Sequence, residues 1–271
     1  MGALSWRGQL PVKVVTLMLA GALIDSGDLV AAMLRLYSYH PGLLPNPVAD
    51  ARLGALLADA LFVPVLTACT LAVFRRNRLQ TSLLLALLFA VIEEYFVRRG
   101  IFIRLGWRLW YTPALFLGYC VILSWWSSSF EATGYTRFHR TVVLLSMLQH
   151  LWAVTALALS GVLNLYTFRP HWLRSPDLDN VLGGALLQLL PFLLVACVFI
   201  WYRWVDNPVL FAAAVLIWVG WTAFLQNSGV RQDAHAWGPV QAGMSMGVLL
   251  WVAGRVDAWL ADPYEKAGVR L

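Results

Sequence analysis

Asp25 and Asp28 stand three residues apart inside an apolar run, so a helix places both carboxylates on one face. A charge in hydrocarbon is costly and persists where a site or a partner stabilises it. Two readings of the pair stand side by side. One is a proton or cation site turned to the interior of a helix bundle. The other pairs Asp28 with a basic neighbour, or breaks the first apolar block near Ser26-Gly27 into two short segments that meet in water. Asp59 follows in the next block, seven residues after Arg52. It either joins Asp28 in a carboxylate cluster or sits at the water interface, and the interfacial reading is the simpler one. Glu93-Glu94 precede Arg98-Arg99. Glu94 and Arg98 have the favourable acid-first i,i+4 spacing, so ion pairing at a helix end accounts for them. Adjacent residues cannot face the same way, which leaves one glutamate free to turn inward.

His150, beside Gln149, is the only histidine well inside an apolar block; His40, His139, His171 and His235 read as loop residues. One histidine does not hold a haem or a metal, so a hydrogen-bonded structural role is expected and no metal site is. Walker, nucleophile-elbow, zincin and dinucleotide signatures are missing from the chain. A carboxylate pair can do acid–base work, but no nucleophile accompanies it. The expectation is a protein that is not an enzyme and carries no cofactor. Fourteen tryptophans are present. Trp107, Trp110, Trp125, Trp126, Trp172, Trp201, Trp204 and Trp237 mostly fall near block ends, where an aromatic belt at the headgroup level accounts for them. Cys69, Cys120 and Cys197 lie inside apolar runs with no C-x-x-C spacing and read as small apolar fillers.

These side chains need a scaffold suited to an apolar solvent. Of the 271 residues, 60% are hydrophobic and only 13% charged. Soluble domains carry about 25% charged residues, so the surface implied here is one that faces lipid. The net charge of +6 comes from arginines scattered between apolar blocks, as in Arg75-Arg76-Asn77-Arg78. Such flanking charge meets headgroups and orients helices; nucleic-acid binding is not expected.

Eight apolar blocks can be marked, over about 12–36, 53–74, 79–97, 109–126, 141–166, 181–202, 208–226 and 238–260. A span needs about 20 residues, and in lipid each peptide group must be paired within its segment, so the blocks are expected to be helices. The expected fold is an all-α polytopic transmembrane bundle. The first block also imitates a signal peptide, with Ala20-Gly21-Ala22 as a small-residue cleavage site, but it runs on long enough to span. Prolines interrupt the chain after the first block (Pro41, Pro45, Pro47) and after the fifth (Pro170, Pro176), and Asp206-Asn207-Pro208 separates the sixth from the seventh. Ser127 to His139 is the longest polar linker.

Around that linker the two halves resemble each other. Leu34-Arg35-Leu36-Tyr37-Ser38-Tyr39-His40-Pro41 reads against Leu163-Asn164-Leu165-Tyr166-Thr167-Phe168-Arg169-Pro170, an offset of 163 minus 34, or 129. The same offset pairs Pro47 with Pro176, Asp50 with Asp179, Gly54 with Gly183 and Gly100 with Gly229. The expectation is two parallel four-helix repeats, 1–130 and 131–271, related by an axis along the membrane normal. An even span count puts both termini on one side, which holds eleven of the twenty Lys and Arg residues. The positive-inside rule then places the termini in the cytoplasm of a plasma-membrane protein. At the offset of 129, Asp25 falls on Val154, Asp28 on Leu157 and Glu93 on Thr222, so the acids belong to the first half alone.

Gly27-Asp28, Leu44-Pro45-Asn46, Phe62-Val63-Pro64, Glu93 seven residues before Gly100, and Gly106-Trp107 with Trp110-Tyr111-Thr112 resemble an uncharacterised family of small multi-pass membrane proteins from spore-forming Gram-positive bacteria. The resemblance covers residues 20–126. It implies a helical membrane protein, marks Asp28, Glu93, Trp107 and Trp110, and supplies no activity; the second half departs from the pattern. Two expectations follow. The first is a polar pocket in the first half that binds or transports a cation, a proton or a small ligand, with Asp25, Asp28, Asp59, Glu93, Glu94, Trp107, Trp110 and His150 as candidate residues. The second is a structural or assembly protein that packs against lipids, a second copy or another membrane partner, its acids only neutralising arginines.

Overall fold

The computed structural model describes residues 6–73, 77–134, 136–195 and 207–266. Arg75, Arg76, Cys197, Trp201, Trp204 and Asp206, named above, lie outside the described residues. Among those described, eight helices are long and apolar enough to cross a membrane: Val12–Met33, Pro47–Ala68, Leu79–Arg98, Tyr111–Thr133, Arg137–Val162, Leu178–Val195, Pro208–Asn227 and Gly238–Ala261. Their outward faces carry large apolar side chains, Val209 at 73% exposure and Leu84, Leu216 and Leu87 close behind. A water-soluble protein does not present apolar surface all around itself. The chain is a multi-pass helical membrane protein.

In chain order, α1 (Trp6–Met33) is followed by strand β1 (Tyr37–Tyr39). The second span begins as α2 (Pro47–Ala55), widens into a π-helical stretch (Leu56–Phe62) and resumes as α3 (Val63–Val73). Helix α4 (Arg78–Arg98), strand β2 (Phe102–Arg104) and helix α5 (Tyr111–Thr133) complete the first half. Helix α6 (Arg137–Ala156) ends in a second π stretch (Leu157–Val162) and leads to β3 (Tyr166–Phe168). Then come α7 (Pro176–Gly184) with a third π stretch (Ala185–Leu189), α8 (Pro208–Asn227), β4 (Arg231–Asp233) and α9 (Gly238–Lys266).

The four short strands are absent from an all-α expectation. Each half ties its first extramembrane loop to its third by a two-stranded antiparallel ladder. Tyr37, Ser38 and Tyr39 pair with Arg104, Ile103 and Phe102, and Tyr166, Thr167 and Phe168 pair with Asp233, Gln232 and Arg231. Strands of three residues give no readable alternation, so periodicity could not reveal them. Every strand, both π stretches of the second and sixth spans and both Asn/Ser-Pro helix starts recur at the same interval; β3 begins at 166 and β1 at 37, a difference of 129. Asp50 accepts backbone N–H bonds from Gly42, Leu43 and Leu44, and Asp179 does the same for His171, Trp172 and Leu173.

Three boundaries differ from expectation. Helix α1 runs unbroken through Ser26-Gly27, whose Ser26 hydroxyl donates back to the Ala22 carbonyl at 2.8 Å, so no wet break divides it. The second span starts at Pro47 rather than residue 53, because Asn46 caps it by accepting from the Val48 and Ala49 amides and proline suits the first turn. Residues 127–133 and 137–139 are helix, not linker: Trp126, Ser127 and Phe130 are buried, and Ser128 and Thr133 return their hydroxyls to carbonyls one turn back. His139 is accordingly no loop residue. It is buried in the first turn of α6, beside the hydroxyls of Thr136 (2.7 Å) and Ser129 (3.3 Å).

Each half has its own core. Ala20, Leu85, Phe89, Phe116, Cys120 and Leu123 form one; Met147, Leu148, Phe192, Trp218, Met246 and Leu250 form the other. Cys120 is fully buried, as an apolar filler. A third cluster of Val15, Trp126, Phe130, Val143 and Leu260 joins the halves.

Candidate functional site

Two acids from different spans meet beneath β1. Period-2 alternation turns Tyr37 and Tyr39 to one side of the strand. The Tyr37 hydroxyl donates to Asp28 Oδ1, and the Tyr39 hydroxyl donates to Asp59 Oδ1 at 2.9 Å. Asp28 and Asp59 are thereby held under two neighbouring rings whose centroids lie 5.7 Å apart. The phenol rings are fixed from behind by Phe102 of β2, with centroids 4.9 Å from Tyr37 and 5.2 Å from Tyr39. Gly54 lets the strand approach α2, since a Cβ there would stand 2.5 Å from Tyr39 Cβ.

Burial first, and then the charges of Asp28 and Asp59, raises both phenols well above the usual tyrosine range. They therefore stay protonated and act as donors to the acids. The arrangement still lacks one partner. Asp59 is buried, and its Oδ2 has no hydrogen bond. A buried, unsatisfied carboxylate oxygen next to a second carboxylate is costly. One proton between the two acids, or a cation against them, removes that cost.

The π stretch Leu56–Phe62 brings Asp59 to this place. Pro64 has no N–H to offer the carbonyl four residues back, and its ring crowds that position, so a wider turn ahead of it relieves the clash. The π stretch Ala185–Leu189 precedes Pro191 in the same way. There the Leu187 carbonyl, four residues before the proline, accepts the Trp221 indole N–H at 2.7 Å.

The remaining acids have partners. Asp25 Oδ2 lies 2.7 Å from His150 Nδ1, a contact between α1 and α6 that bridges the halves. Glu93 turns inward and Glu94 outward. Both bind Arg104 of β2, at 2.7 and 3.2 Å, and Glu94 also pairs with Arg98 at 3.1 Å. Glu93 further accepts from the Thr112 hydroxyl and from the Trp107 indole N–H at 3.3 Å. Trp107 thus belongs to a hydrogen-bonded knot at the ladder. Trp110 is 60% exposed and stacks edge-on against Tyr111.

A cavity of about 990 Å³ opens beside the acid pair, between the two halves. One wall carries Asp25, Asp28, Tyr37, Tyr39 and Asp59. The facing wall carries Leu157, Tyr166, Phe168, Gln188 and Leu193. Positions 129 apart thus line it from both halves: the chemistry changes from Asp28 to Leu157, Tyr39 to Phe168 and Asp59 to Gln188, while tyrosine recurs at 37 and 166. All three π stretches contribute lining residues. Arg52 also reaches the cavity, where its Nη1 donates to the Ser160 carbonyl of the other half at 3.4 Å.

Of the eight residues marked in the sequence, the fold gathers Asp25, Asp28 and Asp59 at the cavity. His150 stands behind Asp25, 2.7 Å from it, and Glu93, Glu94, Trp107 and Trp110 lie elsewhere. Tyr37, Tyr39 and Gln188 are not among the eight. A signal for the tyrosines was present: the Tyr-Ser-Tyr motif is the strongest loop match between the halves. Comparison of the chain with family models, with curated proteins and with solved structures finds no match.

Proposed function

We propose that this chain binds a proton or a cation at the Asp28–Asp59 pair and couples that binding to movement of one half against the other. The single observation that carries the reading is the unpartnered Oδ2 of buried Asp59 beside Asp28, in the wall of the large cavity. The chain is read as two parallel four-span repeats, supported by the common interval of 129 in strands, π stretches and capping acids. The pocket then belongs to the seam between halves: the first supplies the charge and the second the facing wall. Such a site alternates its access when the halves rock about it. The protein is read as non-enzymatic, in the plasma membrane, with its termini in the cytoplasm and the ladder side outside. The resemblance of residues 20–126 to an uncharacterised family adds no activity to this reading.

The test is infrared difference spectroscopy of the purified protein in lipid nanodiscs while pH is stepped. A carboxylic-acid C=O band that appears on acidification, and is lost in both Asp28→Asn and Asp59→Asn, is expected. A band unchanged by either substitution in a folded protein refutes the site.

A further inference from the structure

The geometry points to a lipophilic organic cation, a positively charged nitrogen or phosphorus centre on an apolar body, as the ligand of the cavity between the halves. The inference rests on the charge-binding reading above and names the class of cation.

About 990 Å³ is the volume of a pocket for a drug-sized molecule, far beyond the need of a proton or a bare ion. Among the described residues no three His, Cys, Asp or Glu side chains converge as a metal-ligand set, so the two acids alone make a poor metal cage.

The two walls differ in charge. The first-half wall places Asp28 and Asp59 side by side, with Arg35 and Arg52 also on its lining, and the second-half wall is uncharged where the acids' counterparts stand, at Leu157 and Gln188. A ligand that satisfies both walls is charged at one end and apolar over the rest. Rings from both halves, Tyr37, Tyr39, Tyr166 and Phe168, border the space, and aromatic rings attract an organic cation; Tyr166 already carries the Arg231 guanidinium 4.3 Å from its centroid.

The unpaired groups on the two walls share one sign. Asp59 Oδ2 and Gln188 Oε1, on residues 129 apart and each more than nine-tenths buried, both lack a hydrogen-bond partner. Both are acceptors, so the complementary group is positive or a donor. The Arg52 guanidinium reaches the Ser160 carbonyl across the seam.

Equilibrium dialysis of the nanodisc-embedded protein with tetraphenylphosphonium, and with its anionic isostere tetraphenylborate, separates charge from apolarity at constant shape. The phosphonium is expected to bind at least about tenfold more tightly than the borate. Asp59→Asn should weaken phosphonium binding about tenfold, and Gln188→Glu, which adds an acid to the neutral wall, should tighten it by a similar factor. The gain-of-affinity variant keeps the proposal testable if Asp59→Asn folds poorly. Equal binding of both probes, insensitive to Gln188→Glu, overturns the inference and leaves only a greasy cavity. Absence of phosphonium binding in a protein whose Asp28–Asp59 carboxylic-acid band still titrates also overturns it, while the charge-binding reading stands.

Discussion

Gly21 of α1 lies so close to His150 of α6 that a Cβ there would stand 2.4 Å from the imidazole ring. The same ring pairs with Asp25 one turn further along α1, and Gln149 donates to the Ala22 carbonyl at 3.1 Å and to Ser26 at 2.7 Å. The two halves are thus sewn together by one polar seam next to the cavity, and a hydrogen atom in place of a methyl group makes the approach fit. Gly21→Ala should cost about 1–3 kcal/mol through overpacking, read as a lower midpoint of thermal unfolding in detergent. Gly27→Ala, where no atom lies within 4 Å of the added carbon, is the matched control and should not lower it.

Asp50 and Asp179 each gather three consecutive backbone amides and so hold the loop that presents β1 or β3. Asp50→Ala should disorder the Tyr37–Tyr39 strand and, through it, the donors to Asp28 and Asp59. The expected outcome is faster amide hydrogen exchange over 37–44 with little change over 166–173. Asp179→Ala should produce the reverse pattern. Exchange rising equally in both loops would contradict independent capping of the two halves.

The ion pair behind each ladder is built differently. In the first half Glu93 of α4 meets Arg104 of β2 at 2.7 Å; in the second, Arg231 and Asp233, both on β4, meet at 2.6 Å, and Tyr166 lies 4.3 Å from the guanidinium. Thr222 and Asp233 stand where Glu93 and Arg104 do in the first half. Asp233→Ala strands a guanidinium that is 2% exposed and should cost about 3–5 kcal/mol. The double variant Arg231→Met with Asp233→Ala should recover most of that loss, because no charge is left buried. Chemical unfolding of the three proteins in mixed micelles decides the point: a double variant as unstable as the single one contradicts it.

Burial pushes the Tyr166 phenol up to about 12, with the Arg231 guanidinium pulling the other way. Tyr37 and Tyr39 are raised as well, by burial and by the acids. An unfolded phenol ionises near pH 10. The unfolded chain therefore loses these protons first, and their contribution is full below about pH 10 and falls as pH rises through the folded values. Unfolding midpoints followed from about pH 9 to about pH 12 should drop more steeply for the wild type than for Tyr166→Phe. Parallel curves would mean that Tyr166 does not ionise differently in the two states.

Much of the scaffold was determined by the sequence alone. Eight runs of apolar residues must be helices in lipid, because hydrocarbon offers no other partner to the backbone, and a 3.6-residue repeat puts Asp25 and Asp28 on one face whatever lies beside them. The interval of 129 was legible too, since loop residues such as Tyr37, Pro47 and Asp50 recur where apolar composition cannot explain them. Only the tertiary structure decided which acids are neutralised. Glu93 and Glu94 look as exceptional in the sequence as Asp59, yet one strand of a ladder, β2, brings Arg104 to the first two and the other, β1, brings Tyr39 to the third. Asp59 faces the cavity because a π stretch ahead of Pro64 widens its helix, and no hydrophobic period encodes that widening. The pairing of Asp28 with Asp59, and of both with Gln188 across the seam, depends on how rigid helices dock. Docking is settled by contacts such as Gly21 against His150, between residues far apart in the chain, and local sequence patterns carry no record of them.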